Sequence, residues 1–498
     1  VTTAAEYRHS HWGILVVDSK DGSVVFEQNA DLLFLPASVT KCFSTAAALA
    51  EFGPDYRWIT PLRRRGEVDA KGVLRGDLIL VCSGDLSLGG RTLPDGSMAF
   101  ANYDHTYANS NDKAEITTPD PLQGLNQLAG QAAAAGIREV TGEVMIDSRL
   151  FEASESTGSG PARVTPIVIN DNLIDLVITP GEAGKPAGVT WRPQSALIHV
   201  DASVDTVAAD GPLSTTLRWT EEGLILRGTI PAGRKPLVRV AEFPNPDAFA
   251  RSLLIEALQR AGVKCAASPL APHPGSDALP TRSETAGLPL VASLTSPPAS
   301  EQFKLVLKVS HNLHASTLPL LLAVRHNQRT VVEGLKLQRA FLESVGVDVN
   351  TISFGGGAGG AGGDCVTPRA TVQLLQGMSR RPDGTAYRAA MPILGVDGTL
   401  VEAVASDSPA RGKVQAKTGT FYHDNTLNGR VLLTSKALAG YLKTAAGREL
   451  TFAMFVNNVH LENSTAAARV GKTLGRLCEI IHESDKPAAP PQSPATGS

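Results

Sequence analysis

Cysteine is scarce in this chain, and the five present are scattered: Cys42, Cys82, Cys265, Cys365 and Cys478. No two are spaced as CxxC, so neither a zinc knuckle nor a redox dithiol has support. An odd count at such wide spacing also excludes a dense disulfide framework, leaving one bridge open. Long apolar runs are missing too. The runs present, such as "LPLLLAV" at 318–324, fall far below the ~18 residues a membrane span needs. Charge of one sign is absent: 46 Lys and Arg face 49 Asp and Glu, for a net charge of -3, and the basic residues form no long run. Nucleic acid is thereby a poor partner. The chain opens on Val1 rather than methionine, which leaves room for a removed N-terminal segment. Its lack of a signal peptide therefore carries no information on location.

What remains is an ordinary globular composition, 42% hydrophobic and 19% charged over 498 residues, with room for roughly three domains. The stretch "HWGILVVDSKDGSVVFEQNA" reads as a hairpin, its apolar run Ile14–Val17 broken at "SKDG" and resumed at Val24–Phe26. A helix with Phe43, Ala46, Ala47 and Ala50 on one face follows Ser38 and stops at Gly53-Pro54. Residues 60–150 turn strand-like, with an alanine-rich helix in "LNQLAGQAAAAG". Short β-type runs fill 160–240, the pattern of a small all-β domain. "NPDAFARSLLIEALQRAG" returns to helix, and a Pro/Ser/Thr-rich stretch around 268–300 reads as a connection. Helices then dominate to about 410. Strands "GKVQAKTGT", "ALAGYL" and "ELTFAMFVNN" and a closing helix complete the pattern. The tail 485–498, "DKPAAPPQSPATGS", has too few large apolar residues to order itself and is expected to be disordered.

Three short motifs carry chemistry. In "PASVTKCF", Ser38 and Lys41 stand three apart at a helix start, where residues i and i+3 share a face and the hydroxyl and amine can meet. A lysine stripped of water there becomes a better base. The second motif is Ser310-His311-Asn312, expected within a helical stretch, and the third is Lys417-Thr418-Gly419-Thr420 in a period-2 strand. An SxxK or an SxN arises by chance about once or twice in such a chain. A second SxxK, Ser110 to Lys113, lies in a polar run with no apolar helix behind it and is set aside. Alternation puts Lys417 and Gly419 on one face of the strand and Thr418 and Thr420 on the other.

The order SxxK, SxN, KTG resembles the active-site set of serine β-lactamases and penicillin-binding proteins. With "GDLILVCSGDLSL", "VINDNLIDLVITPG", "SPPASEQFKLVLKVSHNLHAS" and "LGVDGTL", the chain is similar, from about 11 to 480, to the D-alanyl-D-alanine carboxypeptidases/endopeptidases. These are the class C low-molecular-mass penicillin-binding proteins, peptidase family S13. The resemblance implies an α/β (α+β) fold: a transpeptidase-like catalytic domain with an antiparallel sheet and helices (1–61 and 291–484). An inserted mixed domain (62–158 and 242–290) would interrupt it and carry a nested all-β domain (159–241). Ser310 follows Ser38 by 272 residues, while Lys417 follows Ser310 by only 107, which leaves space for such an insertion.

The resemblance further implies a serine peptidase that removes the terminal D-alanine from peptidoglycan stem peptides and is acylated by β-lactams, with cutting of cross-links as an added activity. Ser38 would be the nucleophile, Lys41 its base in a role shared with Ser310, and Ser310 the proton relay to the leaving amine. Asn312 would hold the substrate amide. Lys417 would supply charge, Thr418 and Thr420 would bind the terminal carboxylate, and Gly419 would admit the ligand backbone. The N–H groups of Ser38 and Thr420 would form the oxyanion hole. No cofactor or metal is implied, and the location would be exported, periplasmic or extracytoplasmic. The alternatives are a β-lactamase or esterase of the same fold and a non-catalytic sensor of peptidoglycan or β-lactam.

Two stretches depart from the family pattern. Where members carry polar residues before "VTPRATVQLL", this chain has "GGGAGGAGGDC" (355–365). Its formal GxGxxG (Gly355, Gly357, Gly360) would need a helix opening on the glycines to bind a nucleotide, and "DCVTP" intervenes. After the KTGT, "FYHDNTLNGRVLLTSK" (421–436) is inserted, either as a lid or, by the better expectation, as a longer hairpin. His311 and His314 lack a third metal ligand nearby in sequence and are expected to be packed or solvated. Cys42 is expected as a small buried hydrophobe, and Asp147 as structural.

Overall fold

The run Ile14–Val17 lies in the strand His11–Asp18, which is buried from Trp12 to Val17 because it has neighbours on both edges and layers on both faces. The computed structural model describes residues 1–485, so the expected disordered tail lies, apart from Asp485, outside the described residues. The described chain divides into two compact units.

The first unit comprises, among the described residues, Val1–Val39, Glu343–Phe354 and residues 363–485. Its sheet runs Val414–Asn425, Arg430–Lys443, Glu449–Asn457, His11–Asp18, Val24–Gln28, with every neighbouring pair antiparallel. The strand carrying the KTGT is thus an edge. Trp12, Ile14 and Val16 point to one face, where they meet Val470, Leu474 and Cys478 of the helix Ala467–Glu483. Spacing of i, i+4, i+8 gives that helix its apolar stripe. Burial of Val470 and Leu474, 0% and 2% exposed, is worth about 1.5–3 kcal/mol each. On the other face the helix Pro368–Ser379 packs on the sheet and accepts the Tyr441 hydroxyl at its Leu375 carbonyl. The insertion after the KTGT is a longer hairpin: the edge strand continues to Asn425 and the return strand starts at Arg430.

The second unit comprises Thr40–Leu342 and Gly355–Gly362. Here the helices Thr40–Phe52, Ala299–Lys308 and Asn312–Arg325 pack together. The first is buried all round from Thr40 to Leu49, and its alanines allow that close approach. The left-handed Gly53 ends it, as expected. A mixed sheet follows in the order Lys264–Cys265, Glu139–Val140, Val73–Val81, Ile59–Val68, Leu290–Thr295, with Val144–Asp147 paired to Val73–Val81. Helices Gln123–Ala134 and Pro246–Arg260 pack together beside this sheet. The outgoing and returning strands pair antiparallel, with Ile59 opposite Thr295 and a register shift between Leu290 and Ala292. Two three-stranded sheets, from Leu173–Thr179 to Leu237–Glu242, make the β-rich block.

Two local expectations fail. The connection at 268–300 holds the helix Arg282–Gly287 and the strand Leu290–Thr295, because pairing to Ile59–Val68 overrides a turn-like composition. Ser310 is not helical: it sits in a break between the helices ending at Lys308 and starting at Asn312, with φ of 64°.

Candidate active site

The Ser38 neighbourhood is built by the first unit. Ser38 lies in the 3-10 turn Ala37–Val39, which runs straight into the helix Thr40–Phe52. The preceding Ala37 has φ of 45°, a conformation costly for an L-residue with a Cβ. The turn is held from the sheet side. Ser435 Oγ donates to the Leu35 carbonyl at 2.7 Å, and Leu35 N donates to Asn457 Oδ1 at 2.9 Å. Gly419 lies against the same segment. A Cβ there would come within 2.4 Å of the Pro36 carbonyl and 3.3 Å of Ala37 Cβ, so only glycine lets the KTGT strand approach the Ser38 turn this closely.

Alternation along that strand is as expected. Lys417 is fully buried and donates to the Thr418 carbonyl at 2.8 Å. Thr418 Oγ1 donates to Thr399 Oγ1 at 2.8 Å, and the exposed Thr420 accepts from Lys436 Nζ at 2.8 Å. Lys436 faces Thr420 across the strand pair, and burial lowers its pKa to about 8. Sequence reasoning missed Ser435, Asn457, Thr399 and Lys436. Thr399 lay in the quoted "LGVDGTL"; the other three act through strand register, which no local motif reports.

The second unit gathers Lys41, Asn312 and Ser310. Lys41 is fully buried, and its Nζ donates to Asn312 Oδ1 at 2.7 Å and to the Ala358 carbonyl at 2.8 Å. Asn312 Nδ2 donates in turn to the Ser159 carbonyl at 2.8 Å. The amide expected to hold substrate is therefore engaged with Lys41 and Ser159. The glycine-rich segment supplies backbone acceptors, Ala358 O for Lys41 and Gly357 O for Ser44 Oγ at 2.8 Å. It can do so because it lies flush: a Cβ on Gly357 would meet the Ala315 carbonyl at 2.1 Å. No helix opens on these glycines, the next beginning at Pro368. Ser310 is 6% exposed, and its carbonyl accepts the Tyr107 hydroxyl at 2.5 Å. Ser110 is exposed, and its hydroxyl donates to the Tyr107 carbonyl.

His311 and His314 are fully buried and stacked with ring centroids 3.7 Å apart. The third potential ligand, far away in sequence, is Asp171: its Oδ1 lies 2.8 Å from His314 Nε2 and 3.1 Å from His311 Nε2. That carboxylate is already served. Its Oδ2 takes Arg91 Nη2 at 2.7 Å and His105 Nε2 at 2.8 Å, so a cation here would sit beside a guanidinium. Burial favours the neutral acid, but Arg91, His311 and the His105 hydrogen bond outweigh it and hold Asp171 well below the usual carboxylate range. Burial likewise disfavours a charged His105, yet Asp175 and Asp104 raise it to about 10. For His314, burial and the neighbouring His311 lower the pKa to about 4. Cys42 is fully buried, none of the five cysteines is in a disulfide, and Asp147 is tied to Arg149 by paired 2.8 Å contacts.

A family model described as the D-Ala-D-Ala carboxypeptidase 3 (S13) family matches residues 2–474. The chain belongs to that family. Serine-type DD-carboxypeptidase activity comes with it. A D-alanyl-D-alanine carboxypeptidase of Actinomadura sp. (strain R39) is 25% identical over 98% of this chain and 85% of the relative. D-alanyl-D-alanine carboxypeptidase DacB of Haemophilus influenzae is 23% identical over 92% of this chain and 88% of its own. The fold is likewise similar to the crystal structure of penicillin-binding protein 4 (dacB) from Haemophilus influenzae. The TM-score is 0.68 at 19% identity, covering 95% of this chain and 97% of that one. That protein is also known complexed with a β-lactam. Among the described residues, no helix is long and apolar enough to cross a membrane.

Proposed function

We propose that this S13 enzyme works through Ser38, with Lys41 as the base, on stem peptides ending in D-Ala-D-Ala. Ser38 Oγ attacks the carbonyl carbon of the penultimate D-alanine, and Lys41 Nζ takes the hydroxyl proton. The tetrahedral oxyanion is held by the N–H groups of Ser38 and Thr420, donors commonly worth ~3 kcal/mol each. Ser310 passes a proton to the leaving D-alanine amine, and water then releases the acyl group from Ser38. Thr418 and Thr420 bind the terminal carboxylate, with Lys417 and Lys436 supplying positive charge. Asn312 fixes Lys41 through its Oδ1 and is read as holding the substrate amide as well.

One observation carries this reading: Lys41 is fully buried, with Nζ fixed by Asn312 Oδ1 and the Ala358 carbonyl, three residues after a serine on a strained turn. A surface lysine beside a capping serine would show neither. Residues 62–290 are read as the insertion, supported by the antiparallel pairing of Ile59 with Thr295 at its two ends, and an exported location is read from the peptidoglycan substrate. Intact-mass measurement with penicillin tests the chemistry. A single adduct is expected on the wild-type chain and on Ser110→Ala, and none on a folded Ser38→Ala. An adduct that survives Ser38→Ala would sink the proposal. Rapid loss of the adduct with turnover of the drug would favour the β-lactamase reading instead.

A further inference from the structure

Four non-glycine residues near the SxN motif adopt left-handed backbone: Ser310 at φ 64°, and Asn170, Asp171 and Asn172 at 50°, 54° and 56°. Such conformations persist only where the surroundings over-determine them, and they concentrate at functional sites. The surroundings here are a buried polar network drawn from residues 91–192. Asp104 holds Arg91 with contacts of 2.7 and 3.2 Å, and accepts from Thr106 N at 3.1 Å, capping the turn His105–Tyr107. His105 spans two carboxylates, Asp175 at 2.5 Å and Asp171 at 2.8 Å. Arg192 closes the set on Asp175 at 2.9 Å. Three carboxylates, Asp104, Asp171 and Asp175, therefore face two guanidiniums and the His105 imidazole, with Arg192 at the partly exposed margin of the set.

This network touches the motif from two sides. Tyr107, at the end of the capped turn, donates its hydroxyl to the Ser310 carbonyl at 2.5 Å, and burial pushes its pKa up, so it remains a donor. Asp171 receives His314 Nε2 at 2.8 Å, and His314 N donates to His311 Nδ1 at 3.3 Å, which caps the helix that begins with Asn312. The peptide plane after Ser310 is thus fixed by Tyr107, and the helix start beyond it by Asp171.

We propose that Tyr107 and Asp171 are positioning residues for Ser310, holding it in the left-handed conformation that aims its hydroxyl for proton transfer. The inference rests on the reading of Ser310 as proton relay. Neither residue touches substrate in this scheme; both act through the orientation of Ser310. A displacement of about 1 Å in such a group commonly costs up to a hundredfold in rate.

A double-mutant cycle on the whole enzyme tests this, using penicillin acylation followed by stopped mass spectrometry at several drug concentrations. Tyr107→Phe keeps the ring and removes only the donor. It is expected to lower the saturating acylation rate constant by roughly ten- to a hundredfold, leave the half-saturating concentration within about twofold, and preserve the melting temperature. Added to Ser310→Ala, it is expected to cost nothing further, because the group it positions is gone. Wild-type kinetics in Tyr107→Phe, or losses that multiply in the double variant, would overturn the proposal. A Ser310→Ala enzyme that acylates at the wild-type rate overturns the relay reading itself, and is recognised without reference to Tyr107. Asp171→Asn enters the same cycle where it folds; where it does not, Tyr107→Phe decides alone.

Discussion

The KTGT strand and the Ser310 turn offer two contrasting ways to place a functional side chain. The strand does it by repetition. Once Val414–Asn425 pairs with Arg430–Lys443, the pleat alone buries Lys417 and Gly419 and sends Thr418 and Thr420 to the other face. The Ser310 turn has no repeat to lean on. Its conformation is held by Tyr107 and Asp171, 203 and 139 residues away in sequence, through a buried network of matched charges. A repeating element tolerates local change if the register survives. A turn held by a network fails when any one member leaves, because the remaining buried groups lose their partners.

The largest effect should come where the strand has no slack. Gly419→Val puts side-chain atoms into the Pro36 carbonyl, 2.4 Å from the Cβ position, and into the turn that carries Ser38. Penicillin acylation should fall by roughly a hundredfold or more, while the melting temperature moves by only a few degrees, since this is an edge strand. Retained acylation would show that the close approach is unimportant and would weaken the contrast.

A smaller effect should follow from Thr418→Val, which keeps shape and register but removes a donor. A stem peptide ending in free D-Ala-D-Ala should be cleaved faster than its C-terminal amide by ~2–4 kcal/mol of transition-state binding, given that charge-assisted bonds are about twice as strong as neutral ones. In Thr418→Val that preference should shrink. Equal rates for acid and amide in the wild type would remove the carboxylate role from the strand.

The smallest effect is a pH signature of the network, read as stability rather than rate. His105 is raised to about 10 in the folded state from about 6.5. A raised pKa contributes stability that is fully present below the unfolded value and is lost as pH rises through the folded one. The stability difference between wild type and His105→Gln, from urea unfolding, should therefore be greatest at pH 6 and shrink steadily toward pH 10. A difference independent of pH would mean that His105 is not charged in the network.

Much of the local pattern was legible before folding. The faces of Lys417 and Thr418 needed only strand alternation, a property of the local backbone. The β-rich block at 160–240 and the long hairpin after the KTGT were legible for the same reason. Ser310 was misjudged because its neighbours on both sides are strongly helical, so periodicity runs through the one residue that breaks it. The partners of Asn312 were not legible because the motif names the residue and not its neighbours; its bonds to Lys41 and Ser159 are a tertiary fact. In the glycine-rich segment 355–365 the missing polar side chains were legible, but not that its carbonyls serve Lys41 and Ser44.

The sequence by itself determined the period of most elements and the faces of the KTGT strand, because each depends on residues within a turn or a pleat of one another. Only the tertiary structure decided which backbone atoms clamp Lys41 and why Ser310 takes a left-handed turn. It alone showed that His311 and His314 share the carboxylate of Asp171. Those arrangements depend on charges and carbonyls brought together from distant segments, where burial makes each unpaired group costly and so selects one set of partners.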